Sequence, residues 1–203
     1  MNSFYSSSWS FTFSSFSPNF IHYLLKKSLY SFIIIYIFRI FVRHKGDDFM
    51  NYVKIAALIP FYDTNGENST CILYSDGSKD YQPCSTKRYI HKMLYTLHLD
   101  PNALKHWTYN VIGTKLNTPI IIDSSLIFLP VKLRKSIGRQ DGCFGYINHS
   151  LISSFQDNSV TLCNGETILT LSPKSYIQKK QYDAKLLSYA YIDYKKQYEF
   201  MWK

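Results

Sequence analysis

Asn164-Gly165 stands between two short β-prone runs, residues 160–163 and 167–171, and no other dipeptide here restricts the backbone as much. A two-residue hairpin turn whose twist matches its strands needs positive φ at both central positions, which Asn and Gly tolerate best. The spacing therefore predicts an antiparallel hairpin closed by a type I′ turn. A lone hairpin is at best marginally stable in water, so further strands must accompany it. Candidates are residues 53–59, ended by Pro60, and residues 70–74 before the turn-like Ser75-Asp76-Gly77. Residues 120–122 and 126–129 follow, separated by Asp123-Ser124-Ser125, then residues 108–113 and 144–148.

Two segments change period. Ile90, Met93, Leu94 and Leu97 recur at i, i+3, i+4 and i+7, one face of a helix over residues 85–97. Ser85 is its expected N-cap and Asp100-Pro101 its expected stop. The opposite face carries Lys87, Arg88, His91, Lys92 and Tyr95, so the helix is basic and amphipathic. A second, longer helix is expected over residues 174–198, opened by Ser172 as N-cap and Pro173 at N1. Its core-facing side is read as Tyr182, Leu186, Tyr189 and Ala190, with the pairs Lys179-Lys180 and Lys195-Lys196 on the surface. Together these elements predict a single α+β domain: a largely antiparallel β-sheet, one early basic helix and a long C-terminal helix.

The first 49 residues differ in character. They hold nine of the 14 Phe and ten Ser, but no Ala or Glu. Their longest apolar run, residues 29–38, falls short of the roughly 20 residues a spanning helix needs. Lys45-Gly46-Asp47-Asp48-Phe49-Met50 can be encoded by a purine-rich, ribosome-binding sequence ahead of an ATG. The expectation is therefore that residues 1–49 are upstream sequence read in frame or a hydrophobic leader, and that residues 50–203 form the domain. The alternative is a small membrane-associated basic protein anchored by residues 20–42.

The chain carries 23 basic and 14 acidic residues, a net charge of +9. Residues 1–49 hold only five of the basic residues, so the excess belongs to the domain. Such an excess points to a polyanionic partner, nucleic acid or an anionic membrane surface. Cys71, Cys84, Cys143 and Cys163 are scattered without zinc-site spacing, which reads as reduced thiols in a cytoplasmic protein. No Gly-x-Ser-x-Gly, phosphate-binding glycine loop or His-x-x-x-His occurs, so no catalytic constellation and no cofactor is expected. His149 and Asp123 read as structural groups, Asp123 capping the turn that follows it. The strongest functional candidate is the stretch Lys132-Leu133-Arg134-Lys135-Ser136-Ile137-Gly138-Arg139. Its cations Lys132, Arg134, Lys135 and Arg139 can neutralise phosphates, and an Arg can enter the narrow minor groove of A·T tracts. Lys87, Arg88 and Lys92 form a second set.

Four segments come in a telling order: Pro119-Ile120-Ile121-Ile122-Asp123, the run ending Phe128-Leu129-Pro130, Cys143-Phe144-Gly145-Tyr146-Ile147-Asn148-His149, and Val160-Thr161-Leu162-Cys163-Asn164-Gly165. This order resembles the core of the competence transcription factor (ComK-like) family, from Leu58-Ile59-Pro60 to about Tyr198. Where that family carries Phe-Pro-Thr/Ser-x-Ser, this chain has Leu129-Pro130-Val131-Lys132-Leu133. The resemblance implies a cytoplasmic, nucleoid-associated transcriptional activator of genetic competence, the program of DNA uptake. Its implied partners are double-stranded AT-rich DNA at promoter boxes, RNA polymerase, an adaptor/protease complex and further copies of itself on DNA. Longer relatives continue beyond a Glu-Phe-Met segment similar to Glu199-Phe200-Met201, in a region tied to activation and regulated proteolysis.

Overall fold

The structure, a computed structural model, describes residues 51–138 and 141–201, with side chains of the last helix described as far as residue 197. The expectations for residues 1–49 and the Met50 start lie outside this range, as does Arg139. Among the described residues the elements run in the order β1 (Ile55–Tyr62), β2 (Asn68–Tyr74), β3 (Lys79–Gln82), α1 (Thr86–Thr96), α2 (Pro101–Ile112), β4 (Ile120–Asp123), β5 (Leu126–Lys132) and β6 (Phe144–Asn148). After a 3-10 turn at His149–Leu151 come β7 (Ile152–Gln156), β8 (Ser159–Leu162), β9 (Thr167–Leu169) and α3 (Lys174–Met201). The fold is α+β. Six strands form an antiparallel sheet in the order β3-β2-β1-β6-β5-β4, and β7-β8-β9 form a second, smaller one.

The main sheet is buried on both faces, which is why its strands read as continuous apolar runs rather than alternating ones. Leu58, Ile72, Ile122, Leu126 and Phe128 point to one face, where Ile90, Met93 and Leu94 of α1 cover them. Their neighbours Ala57, Leu73, Ile121, Ile127, Leu129 and Val131 point to the other. There they meet Ile177, Ala184 and Leu187 of α3 and Val160, Leu162 and Ile168 of the small sheet. Each fully buried side chain of this kind contributes roughly 1.5–3 kcal/mol.

Pro60 does not end β1. It pairs with Thr70 of β2, beyond Ala57 and Leu58, where pairing with β6 stops. Pro130 likewise lies in β5 opposite Tyr146, past the last pair with β4. With one strand neighbour instead of two, a missing N–H is tolerated.

Asp100-Pro101 stops nothing either. Asp100 is the N-cap of α2, accepting from the Asn102 N–H at 2.8 Å, and Pro101 occupies its first turn. Residues 108–113, expected as a strand, complete that helix, with Gly113 at φ 68° as its C-cap. The spacing Leu104, Trp107, Val111 carried the signal, since all three pack on the core. Ser85 caps α1 as expected, its hydroxyl accepting from the Arg88 N–H at 3.4 Å.

The hairpin between β8 and β9 forms, but not through a type I′ turn. Only Gly165 takes positive φ, 86°, and the loop is Cys163-Asn164-Gly165, closed by Leu162 N–H to Glu166 O at 2.8 Å. This is the three-residue hairpin with a bulge at glycine. The Asn164 side chain accepts from the Glu166 N–H at 3.0 Å instead of adopting a left-handed backbone.

The first turn of α3 is capped from elsewhere: Asp157, in the β7–β8 turn, accepts from the Lys174 N–H at 2.9 Å. The hydroxyl of Ser172 accepts from the Lys132 N–H instead. The face of α3 also differs from expectation. Ile177, Lys180, Ala184 and Leu187 are buried, whereas Tyr182, Leu186 and Tyr189 are 62, 50 and 69% exposed. Two interleaved stripes of suitable spacing run along this helix, and local periodicity does not choose between them.

Candidate functional site

The segment after β5, whose cations Lys132, Arg134, Lys135 and Arg139 are the strongest sequence candidates for phosphate contacts, is a tightly tied loop. Both ends are joined by Leu133 N–H to Cys143 O at 3.0 Å. Arg134 folds back over the sheet end. Its guanidinium lies 3.9 Å from the ring centre of Tyr62, donates through Nε to Gly142 O at 2.8 Å, and donates through Nη2 to Asn68 Oδ1. Tyr62 and Asn68 are cross-strand partners at the tip of the β1–β2 pair. Asp141 completes the tie, accepting from Tyr62 Oη at 2.7 Å, Asn68 Nδ2 at 2.9 Å and Gly138 N–H at 2.6 Å. Tyr62 Oη in turn accepts from the Ile137 N–H at 3.0 Å. These donors, the Asn68 amide foremost, hold the Asp141 carboxyl at about 2. One guanidinium nitrogen of Arg134, Nη1, is buried without a partner among the described residues.

The loop is thus shaped by an Arg–Tyr–Asn–Asp network, and Arg134 is engaged inside it. Lys132 and Lys135 remain exposed, Lys132 as the last residue of β5 and Lys135 beyond it. The basic helix reaches the same end of the sheet. Thr86 Oγ1, in its first turn, donates to Phe144 O at 3.1 Å, and Phe144 is the register partner of Lys132. Lys87 and Arg88 follow directly and are exposed, so four exposed cations, none in an ion pair among the described residues, lie around one sheet end. Lys92 is exposed more than a turn further along α1. Lys87 also lines a cavity between α1 and α2.

The partners of Arg134 went unread in the sequence because Tyr62 and Asn68 lie some seventy residues upstream. Asn148 was missed too. It is buried, donates to Ile55 O at 3.2 Å and accepts from Ser150 N–H at 3.2 Å, pinning the 3-10 turn to β1. Asp123 caps its turn, accepting from Ser124 Oγ at 2.9 Å, and also pairs with Lys195 of α3 at 2.9 Å. His149 is half-buried, and desolvation lowers its pKa. Lys180 is not a surface residue: it is 3% exposed and paired with Asp183 at 3.2 Å.

Among the described residues no group of three His, Cys, Asp or Glu is placed to hold a metal ion, and no helix is long and apolar enough to cross a membrane. Comparisons with protein-family models, curated proteins and solved structures found no match.

Proposed function

We propose that this chain is a DNA-binding transcriptional activator of genetic competence that recognises AT-rich promoter boxes. The motif order carries the family reading. The observation that supports DNA as the ligand is the gathering of Lys132, Lys135, Lys87 and Arg88 around one sheet end. Phosphate neutralisation would supply the affinity, and the width and deformability of A·T-rich DNA the preference. In this arrangement Arg134 shapes the loop and its neighbours touch the phosphates.

Gel shift of the full chain on AT-rich and GC-rich duplexes of equal length tests this. Binding should favour the AT-rich duplex and weaken with salt. Lys132→Ala with Lys135→Ala should flatten the log–log salt dependence by about 1.8, at roughly 0.9 per phosphate contact. An unchanged slope with intact circular dichroism rejects the loop as the contact surface. No binding to either duplex in dilute salt rejects DNA altogether.

A further inference from the structure

The cavity between α1, α2 and the segment leading into β4 has a volume of about 340 Å³. This lies at the lower end of the range for small-molecule sites, about 300–1,000 Å³. Its floor is apolar: Ile90 and Leu94 of α1, Leu104 of α2, Ile120 and Ile121 of β4. The rim carries Lys87 and His91 from α1, Lys105 from α2 and Lys115 from the connection to β4, and among the described residues no Asp or Glu lines it. None of the three lysines forms an ion pair among the described residues. Three lysines with no carboxylate among the lining residues give the rim a positive potential that favours an anion.

Two hydroxyl groups add to this. Thr108 lines the cavity at 2% exposure, and its Oγ1 makes no hydrogen bond among the described residues, although buried hydroxyls are normally paired. Tyr146 also lines the cavity without a side-chain hydrogen bond. Burial raises the pKa of its phenol, which keeps it a donor. Cations, unpaired hydroxyls and an apolar floor in one concavity describe the complement of a single ligand type.

We propose that this cavity binds a free amphipathic anion, a carboxylate or phosphate head on an unbranched apolar chain. The head lies among Lys87, Lys105 and Lys115, and the chain lies along Leu104, Leu116 and Ile120, the lining apolar residues that keep exposed surface. Charge-assisted hydrogen bonds from the lysines set the preference for an anion, and the floor sets the preference for a tail. Lys87 belongs both to this rim and to the cations proposed to meet DNA; Lys105 and Lys115 belong to the cavity alone.

Isothermal titration of the full 203-residue chain with decanoate, decanol and acetate decides it. Decanoate should bind one to one, with decanol and acetate each weaker by at least about tenfold. The surface variant Lys87→Ala, Lys105→Ala, Lys115→Ala should lose about tenfold for decanoate while decanol and the melting temperature stay unchanged. Thr108→Val should weaken decanoate severalfold through loss of its hydroxyl. Absence of saturable decanoate binding, equal affinity for decanol, or an unaffected lysine variant overturns the proposal. So does retention on phosphatidylglycerol vesicles by a chain that ignores free decanoate, which would assign the cations to a lipid surface.

Discussion

Lys180 occupies a position on α3 where Ile177, Ala184 and Leu187 face the core, yet it carries a charge at 3% exposure. Asp183, one turn on, is its partner at 3.2 Å, and the Tyr176 ring lies 5.6 Å from its ammonium. Removing one member of a buried pair costs about 3–5 kcal/mol, because the other charge stays desolvated. Asp183→Asn should therefore lower stability by that amount in urea unfolding, and Lys180→Met added to it should recover most of the loss. Asp141 makes a separate prediction in pH. Its folded pKa, about 2, lies below the roughly 3.9 of an unfolded aspartate. Its contribution to stability is thus complete above the unfolded value and disappears as pH falls through about 2. The side-chain carboxyl carbon of Asp141 should titrate near that lower midpoint by NMR. A midpoint at or above the ordinary aspartate value means that the Tyr62–Asn68 tie does not form.

Gly145 shows how an element depends on close approach. A Cβ placed there would lie 2.6 Å from the Leu58 carbonyl oxygen and 2.3 Å from Leu133 Cδ1. Leu133 can turn aside, but the backbone of β1 cannot without separating from β6, where only two register pairs hold the central strands together. Gly145→Ala should destabilise by about 1–3 kcal/mol as overpacking does, read as a lowered melting temperature with unchanged far-ultraviolet circular dichroism. Elements with strong local signals were legible: α1 with its Ser85 cap, β6 over its whole length, and a hairpin at Asn164-Gly165. The two strands that escaped notice explain themselves. β3 is a polar edge strand, Lys-Asp-Tyr-Gln, and β7 has apolar side chains only at Ile152 and Phe155. Such strands are held by their neighbours and leave little pattern of their own. α2 was misread because Asp-Pro both follows helices and begins them.

Across the whole molecule, the sheet lies between α1 on one face and α3 with the small sheet on the other. The connections from β5 to β6 and from β3 to α1 emerge at the same end, which is how cations 45 residues apart in sequence, Lys87 and Lys132, come to share it. Of the expected contacts, Lys132, Lys135, Lys87 and Arg88 share that end, Lys92 lies further along α1, and Arg134 is drawn into the loop's own hydrogen bonds. By itself the sequence determined the α+β class, the long C-terminal helix, the basic excess and most strand positions. Those properties follow from short-range periodicity, caps and composition. Only the tertiary structure decided which stripe of α3 is buried, what Arg134 holds, and which cations stay exposed. Each depends on partners such as Tyr62 for Asp141, 79 residues apart, or Asn68 for Arg134, 66 apart. Local propensity carries no information across such separations; packing and hydrogen bonding within the folded chain supply it.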